Sequence, residues 1–413
     1  MASTSCVAIG SAHEAHLFGK QFHQDLAIQK GLKEKYFSSS GECHLLLTAL
    51  FQSLKGKDPL AFINRSSSGG TGFTFLGQVP SHALPHETPN QRIGIVIKWQ
   101  SEGQCNVERI GALFFKAFGF PAPETYRIDE KLANLLGPHA EKKCFAMGAN
   151  YKSLSLIAMP LLDANNFKEA SKSKIKQMSP EDQQAMLEKF GEIALLDIIL
   201  GNNDRLVSFT DDVESLFSVT SSFNSGNVMM EFEEDVSGHQ KLVDVYPIDN
   251  CTLDLADKKK HISDSEGDIG FGLFEGNLLE TPPDSPPSVE SSSSSSPPLD
   301  EPVVDADSLF QAKIIRLNQV CIRLINNLDC VAKHIQNNIA KDLKERETDM
   351  EVYREFIDMA PEHLIVGMRK ALDKARMFDH ASFAKQCEVE KLDAFSRRAV
   401  ELIQLNMQSV QQL

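Results

Sequence analysis

The chain has 413 residues, an apolar share of 42% and a formal net charge of −15, enough for roughly two or three domains around sizeable cores. The acidity argues against nucleic acid as the main partner. No apolar run of ~18 residues offers a membrane span, and Met1 to Ala12 lacks the basic-then-apolar layout of a secretory signal. The eight cysteines are dispersed, with no Cys-x-x-Cys and no paired Cys/His spacing, which disfavours zinc and disulfides and points to a reducing compartment, the cytoplasm of its own cell or, for a delivered effector, of a host cell.

Residues 1–60 read as a helical extension, with Leu45, Leu46, Leu50, Phe51 and Leu54 on one face. His13, His16 and His23 fall in a polar, aperiodic stretch and read as surface residues. From Phe62 to Leu76, two apolar ends flank small residues, which predicts a β-hairpin with a Ser/Gly tip. At that tip Ser68, Gly69, Gly70, Thr71 and Gly72 could bring backbone N–H groups against phosphate oxygens. It is not a Walker loop, because no Gly-Lys-Ser/Thr follows. Ile93 to Trp99 is dense and β-branched and predicts a buried strand carrying Lys98 at its end. Cys105 to Phe118 then predicts an amphipathic helix with Glu108 in its first turn. Lys98 could snorkel to the surface and Glu108 complement the helix dipole. Alternatively, Lys98 contacts nucleotide phosphates and Glu108 holds it there, as in kinase N-lobes. The order of elements (Gly-rich hairpin, strand with terminal Lys, helix with early Glu) favours the second reading. Pro121 to Ile128 and Ser153 to Leu162 predict two further strands. The latter reaches Met159-Pro160, where a linker between lobes is expected to present backbone groups to an adenine ring.

Ser179-Pro180-Glu181-Asp182 opens a helix with an N-cap residue, a first-turn proline and two early carboxylates. Ile193, Leu196, Ile199 and Leu200 mark its apolar face, Gly201 stops it, and Asn202-Asn203-Asp204-Arg205 follow as a polar burst. A buried helix that delivers a carboxylate and a guanidinium onto a loop matches the build of a phosphotransferase catalytic loop, in which an Asp accepts the attacking hydroxyl's proton. Downstream, Phe223 to Met230 and Leu242 to Asn250 read as strands bearing Asn227 and Asp249. They are turn residues in one reading and oxygen ligands for Mg²⁺ in the other.

Gly201-Asn202-Asn203-Asp204-Arg205-Leu206, Asn224-Ser225-Gly226-Asn227-Val228 and Ile248-Asp249-Asn250 together resemble the catalytic domain of the actin-fragmin kinase family. That family is an atypical protein-kinase fold near the type II phosphatidylinositol 4-kinases and HipA-like kinases. The resemblance covers residues 60–255. It implies an α+β, two-lobed protein-kinase-like fold with a β-rich N-lobe and a helical C-lobe, and use of ATP and Mg²⁺. It implies Asp204 as the catalytic aspartate, Asn227 and Asp249 as Mg²⁺ ligands, Lys98 on phosphate and Glu108 paired with Lys98. Arg205 would brace the loop or nearby charge within the catalytic group. The acceptor it implies is a protein hydroxyl, with actin or a cytoskeletal protein as the family's example. The 23 residues between Asp204 and Asn227 exceed the five of His-Arg-Asp kinases, so Val207 to Ser222 is expected to form an excursion that returns Asn227 to the cleft.

Ile262 to Asp307 holds eleven carboxylates, six consecutive serines and no Lys or Arg. It reads as a disordered insertion, a plain spacer or a target for proline-directed phosphorylation at Thr281, Ser285 and Ser296. Its apolar island from Ile269 to Leu279 could dock elsewhere on the chain. From Phe310 to Ile335 apolar residues alternate by four and three, which predicts one long helix, with further helices to Leu402. The organisation read from sequence is thus 1–60 extension, 61–162 N-lobe, 163–261 C-lobe with the catalytic and metal segments, 262–307 insertion and 308–413 helical remainder. The function read is a kinase acting on a protein hydroxyl. The rivals are a phosphoinositide kinase, for which no Cys-rich or basic amphipathic stretch is evident, and a pseudokinase serving as a binding module.

Overall fold

The computed structural model describes residues 35, 37–38, 40–53, 64–65, 73–80, 92–123, 125–128, 154–162, 164–217, 224–250, 306–346, 350–388 and 392–413. The hairpin tip at 68–72, the histidines at 13, 16 and 23, and the acidic stretch 262–305 with its apolar island lie outside them. The chain combines two small antiparallel sheets with a larger set of helices.

Helix α1 (Ser40–Ser53) precedes strands β1 (Asn64–Arg65), β2 (Phe73–Pro80) and β3 (Arg92–Ser101). The expected hairpin forms, with Asn64 opposite Leu76 and Arg65 opposite Phe75. Helix α2 (Glu102–Ala117) follows β3 directly. It begins three residues before the predicted start, so Glu108 lies in its second turn rather than its first. Strand β4 (Tyr126–Arg127) is far shorter than the predicted Pro121 to Ile128, because Pro121 and Pro123 have no N–H to give a ladder. Strand β5 (Leu154–Pro160) completes a sheet of order β1-β2-β3-β5-β4. β3 is its central strand, and Lys98 stands opposite Thr74 on one side and Ile157 on the other.

After β6 (Asn165–Asn166), the Asn166 side chain caps helix α3 (Phe167–Ser173). Helix α4 (Pro180–Leu200) opens as the sequence suggested: Ser179 Oγ accepts the Asp182 N–H at 3.1 Å and donates to the Asp182 carboxylate at 2.9 Å. Its apolar character is wider than one stripe, since every residue from Phe190 to Leu200 is buried. Such a helix is sheathed on all sides and forms the centre of the core. Strands β7 (Val228–Glu234) and β8 (Gln240–Pro247) join β6 in a three-stranded sheet.

The predicted single helix from Phe310 to Ile335 is two, α5 (Ala306–Ile325) and α6 (Leu328–Lys344). They part at Asn326-Asn327, where the Asn327 amide donates to the Arg323 carbonyl at 2.7 Å, a local bond that competes with continued helix. Helices α7 (Arg354–Arg376), α8 (His380–Glu388) and α9 (Ala394–Gln412) finish the chain. α7 crosses α4 at backbone contact: a Cβ on Gly191 would stand 2.1 Å from the Leu364 carbonyl oxygen, and one on Gly367 1.8 Å from that of Glu188. Among the described residues no helix is long and apolar enough to cross a membrane.

Candidate active site

Along β3 the side chains alternate, so Ile95 and Ile97 are fully buried on one face while Val96 and Lys98 take the other. On that second face α2 lies across the sheet, with Cys105 packed on Ile157, Met159 and Val96. Lys98 Nζ is 2.5 Å from Glu108 Oε1 and 3.1 Å from Asp249 Oδ1. Its side chain is 11% exposed, that of Glu108 3% and that of Asp249 32%. Lys98 therefore does not snorkel, and Glu108 answers the ammonium rather than the helix end. A carboxylate as buried as Glu108 persists only with a cation against it. Asp249, half open, is the partner that a ligand can replace.

Gly201, at φ +80°, ends α4. Asn202 then folds the loop back: its amide donates to Asp197 Oδ1 at 3.3 Å and its oxygen accepts the Asp204 N–H at 3.1 Å. Asp204 is exposed. Asn224 donates to Asp204 Oδ2 at 3.3 Å, and the Asn227 amide donates to the Asp204 carbonyl at 3.0 Å and to Oδ2 at 3.5 Å. Although the residue is open to solvent, the protein around its carboxyl partly desolvates it and raises its pKa. The negative charge of Asp249 adds to that, while the Asn224 and Asn227 amides and Arg205 pull the other way; the net shift is upward. The expected excursion is closed by the Asn224 N–H donating to the Arg205 carbonyl at 3.1 Å. Its described part leans on α5 and α6, through Arg316–Asp211 at 3.6 Å and through Phe217 stacked on His334 at 4.3 Å.

The polar burst predicts Arg205 on an open loop beside Asp204. It lies instead inside the protein, in contact with Asp197 and 5.1 Å above the Phe115 ring. Its Nε donates to the Asn227 carbonyl at 3.2 Å, and its NH2 to the Ile248 carbonyl at 2.8 Å and to Asn250 Oδ1 at 2.6 Å. It braces the loop, and its guanidinium does not reach the cleft. Burial pushes the Asp197 carboxyl upward, against the pull of Arg205 and Asn202. Met159 lies within β5 with its side chain buried, and the pairing runs on to Leu161, whose N–H meets the Gly94 carbonyl at 3.0 Å. The sheet is thus left after Leu161 rather than at Met159-Pro160.

Asn227 touches Asp204, and Asp249 is near enough for its charge to act on Asp204, so two carboxylates and an amide gather here. The Asn227 nitrogen is engaged by Asp204, which leaves its oxygen as the atom that would meet a cation. Among the described residues no group of three His, Cys, Asp or Glu side chains is arranged to hold a metal. Mg²⁺ asks for one or two protein carboxylates, with water and phosphate oxygens completing its shell, and Asp249 with Asn227 would be the residues to hold it. A separate cavity of about 430 Å³, lined among others by Phe118, Met377, Phe378 and Phe383, shares no residue with this group. Sequence reasoning missed Asp197, and gave Asn250, Asn224 and Asn202 no role of their own. The signal for Asp197 was available: one carboxylate in the otherwise apolar run Ala194 to Leu200.

No protein-family model matches the chain, and no curated protein matches it. Among solved structures, the chain is similar to the crystal structure of a Helicobacter pylori proinflammatory kinase, CtkA. The identity is 14%, over 75% of this chain and 96% of that one, with a TM-score of 0.26.

Proposed function

We propose that the chain is a phosphotransferase of two-lobed, protein-kinase-like build that moves the γ-phosphate of ATP, in the presence of Mg²⁺, to a protein hydroxyl. The observation that carries this reading is the convergence on one spot of Lys98 and Glu108, from a strand and the helix that follows it, with Asp249, from a turn 151 residues beyond Lys98. Asp204 is tied to the same spot through Asn227, whose carbonyl accepts the Ile248 N–H at 3.1 Å. In this reading Lys98, anchored by Glu108, exchanges Asp249 for phosphate oxygens and orients them. Asp249 and Asn227 would hold Mg²⁺, which when bound neutralises charge on the transferred group. Asp204 accepts a hydrogen bond from the acceptor hydroxyl and takes its proton, a role that a raised carboxyl pKa favours. An actin-like or other cytoskeletal acceptor follows from the family resemblance alone. The test is incubation of the full chain with γ-labelled ATP, Mg²⁺ and, separately, actin, a mixed protein extract and phosphoinositide vesicles. Label on protein with wild type, lost in Asp204→Ala and Asp249→Ala, is the expected result. Label on lipid alone would move the acceptor class. No label anywhere, or label undiminished in both variants, would overturn the reading.

A further inference from the structure

Asp249 is the one non-glycine residue with a positive φ, +58°, among the described residues. A side chain in left-handed backbone is strained and persists where the surroundings over-determine it. Those surroundings can be named. Arg205 NH2 donates to the Ile248 carbonyl and to Asn250 Oδ1, the residues on either side of Asp249. The Asn250 amide donates back to the Pro247 carbonyl at 3.2 Å and closes a tight turn. Asp197, on α4, holds the far side of the same guanidinium. From the opposite direction α2 presses on the turn: a Cβ on Gly111 would come within 2.5 Å of both Cβ and the carbonyl oxygen of Asn250. Gly111 lies three residues beyond Glu108, so the helix that anchors Lys98 also bounds the turn that carries Asp249.

We infer that Asp197, Asn250 and Gly111 are positioning residues: together with Arg205 they clamp the Asp249 turn in left-handed backbone and thereby aim its carboxylate at Lys98. Its consequence for nucleotide binding rests on the phosphotransferase reading; the clamp itself does not. The test uses full-length Asn250→Ala and Asn250→Asp. Alanine removes both bonds, while aspartate keeps an acceptor for Arg205. Amide hydrogen exchange at 248–250 in the absence of nucleotide is expected to speed up about tenfold or more in the alanine variant and to recover largely in the aspartate variant. The Mg²⁺·ATP concentration for half-saturation should rise about tenfold with alanine, as loss of a supporting shell does elsewhere, and be rescued by aspartate. Unchanged exchange at 248–250 in a folded alanine variant overturns the clamp, whatever nucleotide does. Faster exchange with unmoved Mg²⁺·ATP saturation overturns the aiming role. Failure of the wild type to bind Mg²⁺·ATP overturns the phosphotransferase reading, while the exchange arm still decides the clamp. Should the alanine variant not fold, Gly111→Ala pushes on the same turn from α2 and is read by the same two measurements.

Discussion

Two cations meet the Asp249 turn, and they differ in what surrounds them. Lys98 reaches the side chain of Asp249 from the sheet, with one partner sealed and the other about a third exposed. Arg205 holds the neighbours on either side of the same residue, the Ile248 carbonyl and the Asn250 side chain, from the helical part, and both it and Asp197 are fully enclosed. The ammonium is a compact charge on a flexible stem that can trade one oxygen partner for another. The guanidinium is a planar fork engaged by Asp197, Asn227, Ile248 and Asn250 and stacked over Phe115, so it has no freedom to serve a ligand. Like formal charges thus divide into one beside a part-exposed carboxylate, which we propose meets the nucleotide, and a structural one, according to enclosure and donor geometry.

The comparison breaks most readily at Asp197. Asp197→Ala would strand a buried guanidinium and is expected to lower stability by about 3–5 kcal/mol, measured by urea unfolding; a loss within the surface-substitution range would put Arg205 outside the scaffold. Lys98→Met should invert that profile. Phosphotransfer is expected to fall by about 10²–10³-fold, as when one preorganised donor is removed. The stability loss should stay near 1–3 kcal/mol, because a carboxylate left without its cation can neutralise by taking up a proton, as a guanidinium cannot, and Asp249, the other partner, is about a third exposed. Equal stability losses in the two variants would erase the distinction. Asn406→Ala sharpens it on the structural side. From α9, Asn406 donates to the Ile199 carbonyl at 2.8 Å, at the base of the Asp204 loop, and accepts from Asn318 at 3.0 Å. Loss of about 1–3 kcal/mol is expected, read in the same unfolding experiment. The smallest effect is on pH. A carboxyl whose pKa is raised stays protonated to higher pH, and a protonated Asp204 cannot accept the hydroxyl's proton. The rate should therefore decline, as pH falls, from a point above the ordinary Asp value of about 3.9, and Asp204→Asn should have no such acid limb.

Much of this was legible because it is local. The Ser179 cap, the Gly201 stop, the hairpin from Asn64 to Leu76 and the Lys98 strand are written in short-range pattern and turn chemistry. The pairing of Lys98 with Glu108 was legible from the order of elements, even though α2 starts at Glu102 and Glu108 is therefore a turn deeper than expected. What escaped was enclosure. Arg205 in a polar burst looks solvated, and only the fold brings Asp197, the Asn227 carbonyl and Asn250 around it. The split between α5 and α6 escaped because the apolar spacing continues across it, so periodicity carried through Asn326-Asn327 where the backbone does not.

The most direct test of the central claim is calorimetric titration of ATP into the full chain, with and without Mg²⁺, for wild type and Lys98→Met. Mg²⁺-dependent binding to the wild type is expected, weakened at least about tenfold when the charged donor is removed. Wild type that takes up no nucleotide, or a Lys98→Met variant that binds it equally well, would contradict it.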